Sequence, residues 1–127
     1  MTEQSKKRIL IIDDEVALTR MLQKNLERDG NYEVRTENYG LVGLDAVREF
    51  MPDLVLLDIV LPDAEGSFIA AQISGDESIN HIPVVFLTAL LNREELEAKG
   101  GAMAGYPLLA KPVSLEELKE CIQKNIK

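Results

Sequence analysis

Leu54-Val55-Leu56-Leu57-Asp58-Ile59-Val60-Leu61-Pro62 runs four apolar residues into a single carboxylate and reaches a proline four positions later. Bounded by Pro52 and Pro62, this continuous Leu/Val stretch predicts a strand buried on both faces. Pro62 has no N–H to give to a ladder, so the strand ends before it. Asp58 then stands at the carboxyl end of a central strand. In open parallel α/β sheets that edge is where ligands bind. Asp is also common there simply as a turn residue, and the rest of the chain decides between the two readings.

Four further strands flank this one. Ile9-Leu10-Ile11-Ile12 reads as a second fully buried strand and ends in Asp13-Asp14-Glu15. Tyr32 to Glu37 alternates weakly, which predicts a strand near a sheet edge. Pro83 to Thr88 is a buried run ending in a hydroxyl, and Leu108-Leu109-Ala110 is a short strand ending at Lys111-Pro112. Helical spacing fills the intervals. Leu18, Met21, Leu22 and Leu26 mark helix 1, closed by Gly30. Leu41, Leu44 and Val47 predict the inner face of helix 2, which stops before Pro52. Phe68, Ile69, Ala70 and Ile73 begin helix 3. Asn92 and Glu95 form a capping-box pair for a short helix over 92–99, after which Gly100, Gly101 and Gly105 loosen the chain. Ser114 and Glu117 repeat that signature before a last helix with Leu115, Leu118, Ile122 and Ile126 on one face.

Five strands alternating with five helices predict an α/β fold built on a doubly wound, five-stranded parallel sheet. With no linker, repeat or low-complexity segment, residues 1–127 read as one domain, its ordered core at about 7–126. Charged residues make up 28% of the chain and no apolar run nears the roughly 18 residues of a spanning helix, which excludes a membrane class. Met1 to Arg8 is polar and lacks a signal peptide's apolar core, so a cytoplasmic chain is expected. The lone Cys121 excludes an internal disulfide. A net charge of −8 argues against direct nucleic-acid binding, which needs clustered Lys and Arg.

The strand ends carry the chemistry. Strand 1 delivers Asp13 and Asp14, strand 3 Asp58, strand 4 Thr88 and strand 5 Lys111 to the same sheet edge. Three converging carboxylates repel one another unless a cation joins them. Oxygen ligands of this kind suit Mg²⁺, which keeps waters and often shares its sphere with a phosphate. Lys111 adds a point positive charge and Thr88 a hydroxyl donor. The set describes a place where a phosphoryl group is held on a carboxylate, with Asp58 as nucleophile.

These residues resemble the receiver domain of two-component response regulators over essentially the whole chain. The resemblance rests on Asp13-Asp14 after an apolar strand, and on Asp58 followed by Pro62 and Gly66 at the family's spacing. Thr88-Ala89 after strand 4 and Lys111-Pro112 after strand 5 complete it. It implies a flavodoxin-like strand order, 2-1-3-4-5, and phosphorylation of Asp58 by a histidine kinase or histidine phosphotransfer protein. It further implies that Asp14, Asp58 and the Val60 backbone carbonyl bind Mg²⁺ directly and Asp13 through a water. Thr88 and Lys111 would contact the phosphoryl oxygens. The output would be a change in the surface of helix 4, strand 5 and helix 5, read by an effector domain, a downstream protein or a second phosphorylated copy. The domain would signal rather than turn over substrate.

Two departures from the family pattern stand out. Leu108 occupies the position, three before the lysine, where the family commonly carries an inward-turning Tyr or Phe; Tyr106 lies five before it. Residues 98–107 do not fit the usual ending of helix 4. The resemblance also places Val60 and Leu90 beside the path of the hydrolytic water, and two apolar side chains there predict slow self-dephosphorylation. Two other readings are weighed. A haloacid-dehalogenase-like phosphatase wants Asp-x-Asp after strand 1, where this chain has Asp13-Asp14-Glu15, and needs room for a cap domain. A degenerate receiver used only for docking would not need the acids, Thr88 and Lys111 intact.

Overall fold

Apolar runs alternating with amphipathic stretches leave each strand only one way to bury both its faces, between two layers of helix. A computed structural model, describing residues 6–98, 100, 102–103 and 105–126, has this arrangement. In chain order the elements are β1 (Lys7–Ile12), α1 (Val16–Glu27), β2 (Tyr32–Glu37), α2 (Gly40–Phe50), β3 (Leu54–Asp58) and α3 (Gly66–Ser74). There follow β4 (Val84–Thr88), α4 (Arg93–Ala98), β5 (Ala102–Met103), β6 (Tyr106–Ala110) and α5 (Leu115–Asn125). The sheet order is β2-β1-β3-β4-β6-β5. The five expected strands run parallel in the expected 2-1-3-4-5 order, β6 being the fifth of them.

The two-residue β5 is an addition. It pairs antiparallel with β6, Ala102 opposite Pro107 and Met103 opposite Tyr106, and covers what would otherwise be the sheet edge. It lies within 98–107, the stretch that departs from the family pattern, and α4 has only six residues. Asn92 and Glu95 do exchange the predicted capping bonds, Glu95 N–H to Asn92 Oδ1 at 2.8 Å and Asn92 N–H to Glu95 Oε1 at 3.3 Å. Lys99, the last residue of the predicted helix, and Gly101 after it lie outside the described residues, as does the Met103 side chain.

Period-two alternation divides the strand residues between two cores. Leu10, Ile12, Val55, Leu57, Val84 and Phe86 pack with Leu44 and Val47 of α2 and Ile69 and Ile73 of α3. Ile9, Ile11, Leu54, Leu56, Val85 and Leu87 face Leu22 and Leu26 of α1 and Leu118 and Ile122 of α5. Each such fully buried Leu or Ile stabilises the fold by about 1.5–3 kcal/mol, which fixes the register of β1, β3 and β4 against a one-residue slip.

Three helix positions differ from the periodicity reading. Leu41 is 50% exposed, and the buried face of α2 is instead Gly40, Gly43, Leu44, Ala46 and Val47. Met21 and Phe68 also face outward, and Thr19 is buried on α1 in place of Met21. Met51 is exposed and ends α2 with a left-handed φ of 50°. The cause on α2 is close approach: a Cβ on Gly43 would lie 2.7, 2.8 and 2.9 Å from three side-chain atoms of Ile12. A small residue lets the helix rotate toward the sheet there, and Leu41 swings out.

Gly43→Ala should therefore destabilise the domain. The helix propensity gained is about 1 kcal/mol, but displacing a fully buried Ile12 costs typically 1–3 kcal/mol. Urea denaturation should show a net loss of stability of up to about 2 kcal/mol. A net gain would mean that Ile12 moves freely.

Candidate functional site

All four expected strand ends meet at the carboxyl edge of the sheet. Asp58 closes β3 with its side chain mostly buried, and Asp13, one residue past β1, is 0% exposed. Asp14 is exposed beside them, and carboxylate oxygens of Asp13, Asp14 and Asp58 all lie within 4.8 Å of one another. Lys111, directly after β6, reaches into this cluster. Its Nζ lies 2.7 Å from Asp13 Oδ2, 2.9 Å from Glu15 Oε1 and 3.3 Å from Asp58 Oδ2. The Lys111 N–H is anchored on the Thr88 carbonyl at 2.8 Å, and the Lys111–Pro112 peptide is cis.

The charges are unevenly met. Asp13 Oδ1 accepts from the Glu15 N–H at 2.9 Å, whereas Oδ2 has close contact with the ammonium but no well-directed hydrogen bond. Burial, then the neighbouring Asp13 charge, push the Asp58 carboxyl above the usual carboxylate range despite Lys111 and a 3.3 Å bond from the Val60 N–H. Burial would draw the Lys111 ammonium down, but the Asp13 and Glu15 carboxylates more than offset this and hold it well above the ordinary lysine value. A buried carboxylate oxygen without a directed donor, inside a cluster of hard oxygen ligands, fits a small divalent cation. Three of the expected metal-site residues, Asp13, Asp14 and Asp58, are thus brought together. The fourth, Val60, is the second residue beyond Asp58 and is 57% exposed.

Thr88 is buried at the end of β4, where its Oγ1 accepts the Leu90 N–H at 2.9 Å. A hydroxyl that accepts can still donate, so its proton is available toward the acidic edge. Leu108 is buried at the family's aromatic position. The Tyr106 ring instead packs edge-on against Phe86, with centroids 5.3 Å apart. Leu90 is 66% exposed.

Three contacts at this edge were not legible in the sequence. Glu15 joins the Lys111 cluster; its place next to Asp13-Asp14 was the available signal. Asn38, in the β2–α2 connection, donates to the Asp13 carbonyl at 2.7 Å. Asp63, in the β3–α3 loop, accepts the N–H groups of Gly40 and Leu41 at 2.7 and 2.9 Å. Spacing along the chain gives no hint of these last pairs, which lie more than twenty residues apart.

Known proteins agree with this geometry. The family model for the response regulator receiver domain matches residues 9–123. The polar-differentiation response regulators DivK of Brucella anthropi and Brucella ovis are 34% identical over 119 residues, spanning 92% of this chain and 94% of each relative. A CheY-like receiver domain protein from Methanospirillum hungatei superposes with a TM-score of 0.77 at 30% identity, covering 94% of this chain and 93% of that one. Chemotaxis protein CheY4 of Vibrio cholerae, at 23% identity, shares the fold with a TM-score of 0.80 over 96% of this chain and all of its own.

The raised Asp58 pKa has a consequence for stability. Ionising Asp58 weakens the fold; that cost is absent below the unfolded carboxylate range and grows as pH rises through the folded-state value. Metal-free Asp58→Asn should melt about 2–5 °C above the parent at pH 7. The gain should shrink as pH is lowered toward 4 and the parent's carboxyl takes up its proton. Melting curves across that range check it; a gain that grows in acid would reverse the assignment.

Proposed function

The chain belongs to the response regulator receiver-domain family, and on that footing we propose that Asp58 is its phosphoacceptor. The observation that carries the reading is the meeting of Asp13, Asp14, Asp58 and Lys111 at one sheet edge. A carboxylate oxygen of Asp58 attacks phosphorus of a phosphohistidine on a kinase or phosphotransfer protein. One P–O bond forms as the P–N bond breaks, and the electron pair stays on the imidazole nitrogen. Lys111 holds positive charge beside the attacked group, and the Thr88 hydroxyl donates to a phosphoryl oxygen. Asp14, Asp58 and the Val60 carbonyl would hold Mg²⁺, and Asp13 would act through a water. Held there, it would supply positive charge against that building on the phosphoryl oxygens.

The response runs through Thr88. Engaging phosphate draws the Thr88 side chain toward Asp58, and its bond from the Leu90 N–H couples that shift to the β4–α4 loop, which carries the α4–β6–α5 surface with it. Leu108 and the Tyr106–Phe86 contact leave this route without a swinging ring at the usual position. That surface is what an effector domain, a downstream protein or a second copy would read. The protein is a signalling domain rather than a turnover enzyme, and the phosphatase alternative is not favoured by the family match. Its likeness to polar-differentiation regulators supports a lasting developmental output over rapid motility control.

Incubation with acetyl phosphate and Mg²⁺ should add one phosphoryl group per chain, read as intact mass, and Asp58→Asn should abolish it. Equal labelling of the Asn variant would move the acceptor elsewhere.

Exposed Val60 and Leu90 crowd the water path without orienting water, so the acyl phosphate should persist. Val60→Asn with Leu90→Glu should shorten its lifetime about tenfold, equivalent to about 1.4 kcal/mol of barrier. An unchanged decay rate would place control of water elsewhere.

A further inference from the structure

The β2–α2 connection supplies none of the phosphorylation residues, yet it is bonded both to the β1–α1 loop that carries Asp13 and Asp14 and to the β3–α3 loop that follows Asp58. Asn38 Nδ2 donates to the Asp13 carbonyl at 2.7 Å and also reaches Thr19 Oγ1 at 3.3 Å, which ties it to the β1–α1 loop and the first turn of α1. Two residues on, the Gly40 and Leu41 N–H groups both donate to the carboxylate of Asp63. α2 has no side-chain cap of its own, because its N-cap residue is Tyr39. Its first amides are satisfied across space, by an acid from the loop between Asp58 and α3.

Packing makes this contact close. A Cβ on Gly40 would lie 3.1 Å from Leu61 Cδ1, 3.3 Å from Asp63 Oδ1 and 3.4 Å from Ala64 Cβ. Leu61 is buried in the same core as Ile12 and Leu44. The far end of the loop is equally fixed: the Gly66 N–H donates to the Ile59 carbonyl at 2.7 Å, and a Cβ on Gly66 would come within 2.3 Å of the Asp58 carbonyl. Residues 59–65 are thus held at Asp58, at Gly66 and, between them, at Asp63.

We propose that residues 38–41 act as a clasp between the two acid-bearing loops, with Asp63 and Asn38 as positioning residues that set the spacing of Asp13, Asp58 and the Val60 carbonyl. Neither touches the reacting atoms. Asp63 suits the role because a carboxylate is acceptor-only and its two oxygens serve two donors at once. An Asn there would turn an amide N–H₂ toward one of the two backbone N–H groups and lose that bond. Through the clasp, a cation drawn to the acidic edge tightens α2 as well, and by linkage a loosened α2 binds the cation more weakly.

The inference rests on the proposed metal and phosphorylation site, and the test separates the two. Mg²⁺ binding to the metal-free protein is followed by calorimetry, and backbone amide exchange is measured with and without Mg²⁺. In the parent protein, Mg²⁺ should slow exchange at Gly40 and Leu41. Asp63→Asn should weaken Mg²⁺ binding about tenfold, the usual scale for residues that orient metal ligands, and Asn38→Ala should weaken it in the same direction. Asp63→Asn should also remove the Mg²⁺ effect on α2 exchange. If Asp63→Asn lowers the melting temperature while Mg²⁺ affinity stays the same, the residue is only a helix cap and the clasp is refuted. Should that variant not fold, unchanged Gly40 and Leu41 exchange in the Mg²⁺-bound parent refutes it alone. Failure of the parent to bind Mg²⁺ would instead overturn the metal site itself.

Discussion

One ammonium among four carboxylates sets the terms for this sheet edge. Asp13, Asp14, Glu15 and Asp58 face a single Lys111, so four negative charges less one positive leave three uncompensated. Such an imbalance is tolerable only because the backbone around it is rigid. β1 and β3 are buried on both faces and cannot slip to separate the acids, and β6 is fixed beside β4 by the Lys111–Thr88 backbone bond. The sheet stores repulsion that a cation or a phosphoryl transfer can relieve. Function here is a charge problem that the core keeps from relaxing.

The same rigidity leaves the loops as the route for the proposed response. No strand residue beside Asp58 has room to move, since Leu57, Leu87 and their neighbours are fully buried. Thr88 stands at the boundary, buried itself but accepting the N–H of Leu90 in the exposed stretch that follows β4. The α4 helix beyond it is only six residues long.

Much of this was readable from residue order because the informative elements are the most buried ones. An apolar run ending in a polar residue is visible whatever the tertiary context, and Ile9 to Asp14, Leu54 to Asp58 and Val84 to Thr88 are such runs. The helix faces were harder. Leu41 and Leu44 look alike in a periodicity argument, and only the missing side chain at Gly43, opposite Ile12, decides which of them faces the core. A glycine contributes nothing to an apolar count. The contacts of Asn38 and Asp63 were invisible for a related reason, because their partners are backbone groups whose positions depend on the finished fold. β5 escaped notice because two residues cannot show alternation.

That small strand has an effect on how the molecule meets its own kind. A parallel sheet exposes a row of open backbone groups along each outer strand, a template on which another chain can build. Here one border is occupied by β5, opposite a proline that has no N–H to offer. The other, β2, carries Glu33, Arg35 and Glu37, engaged with Arg8 and Glu49 in a charged fringe. Neither border invites strand-by-strand growth into fibres. Any pairing of two copies is thereby steered to helical surfaces, which can part without breaking a shared sheet.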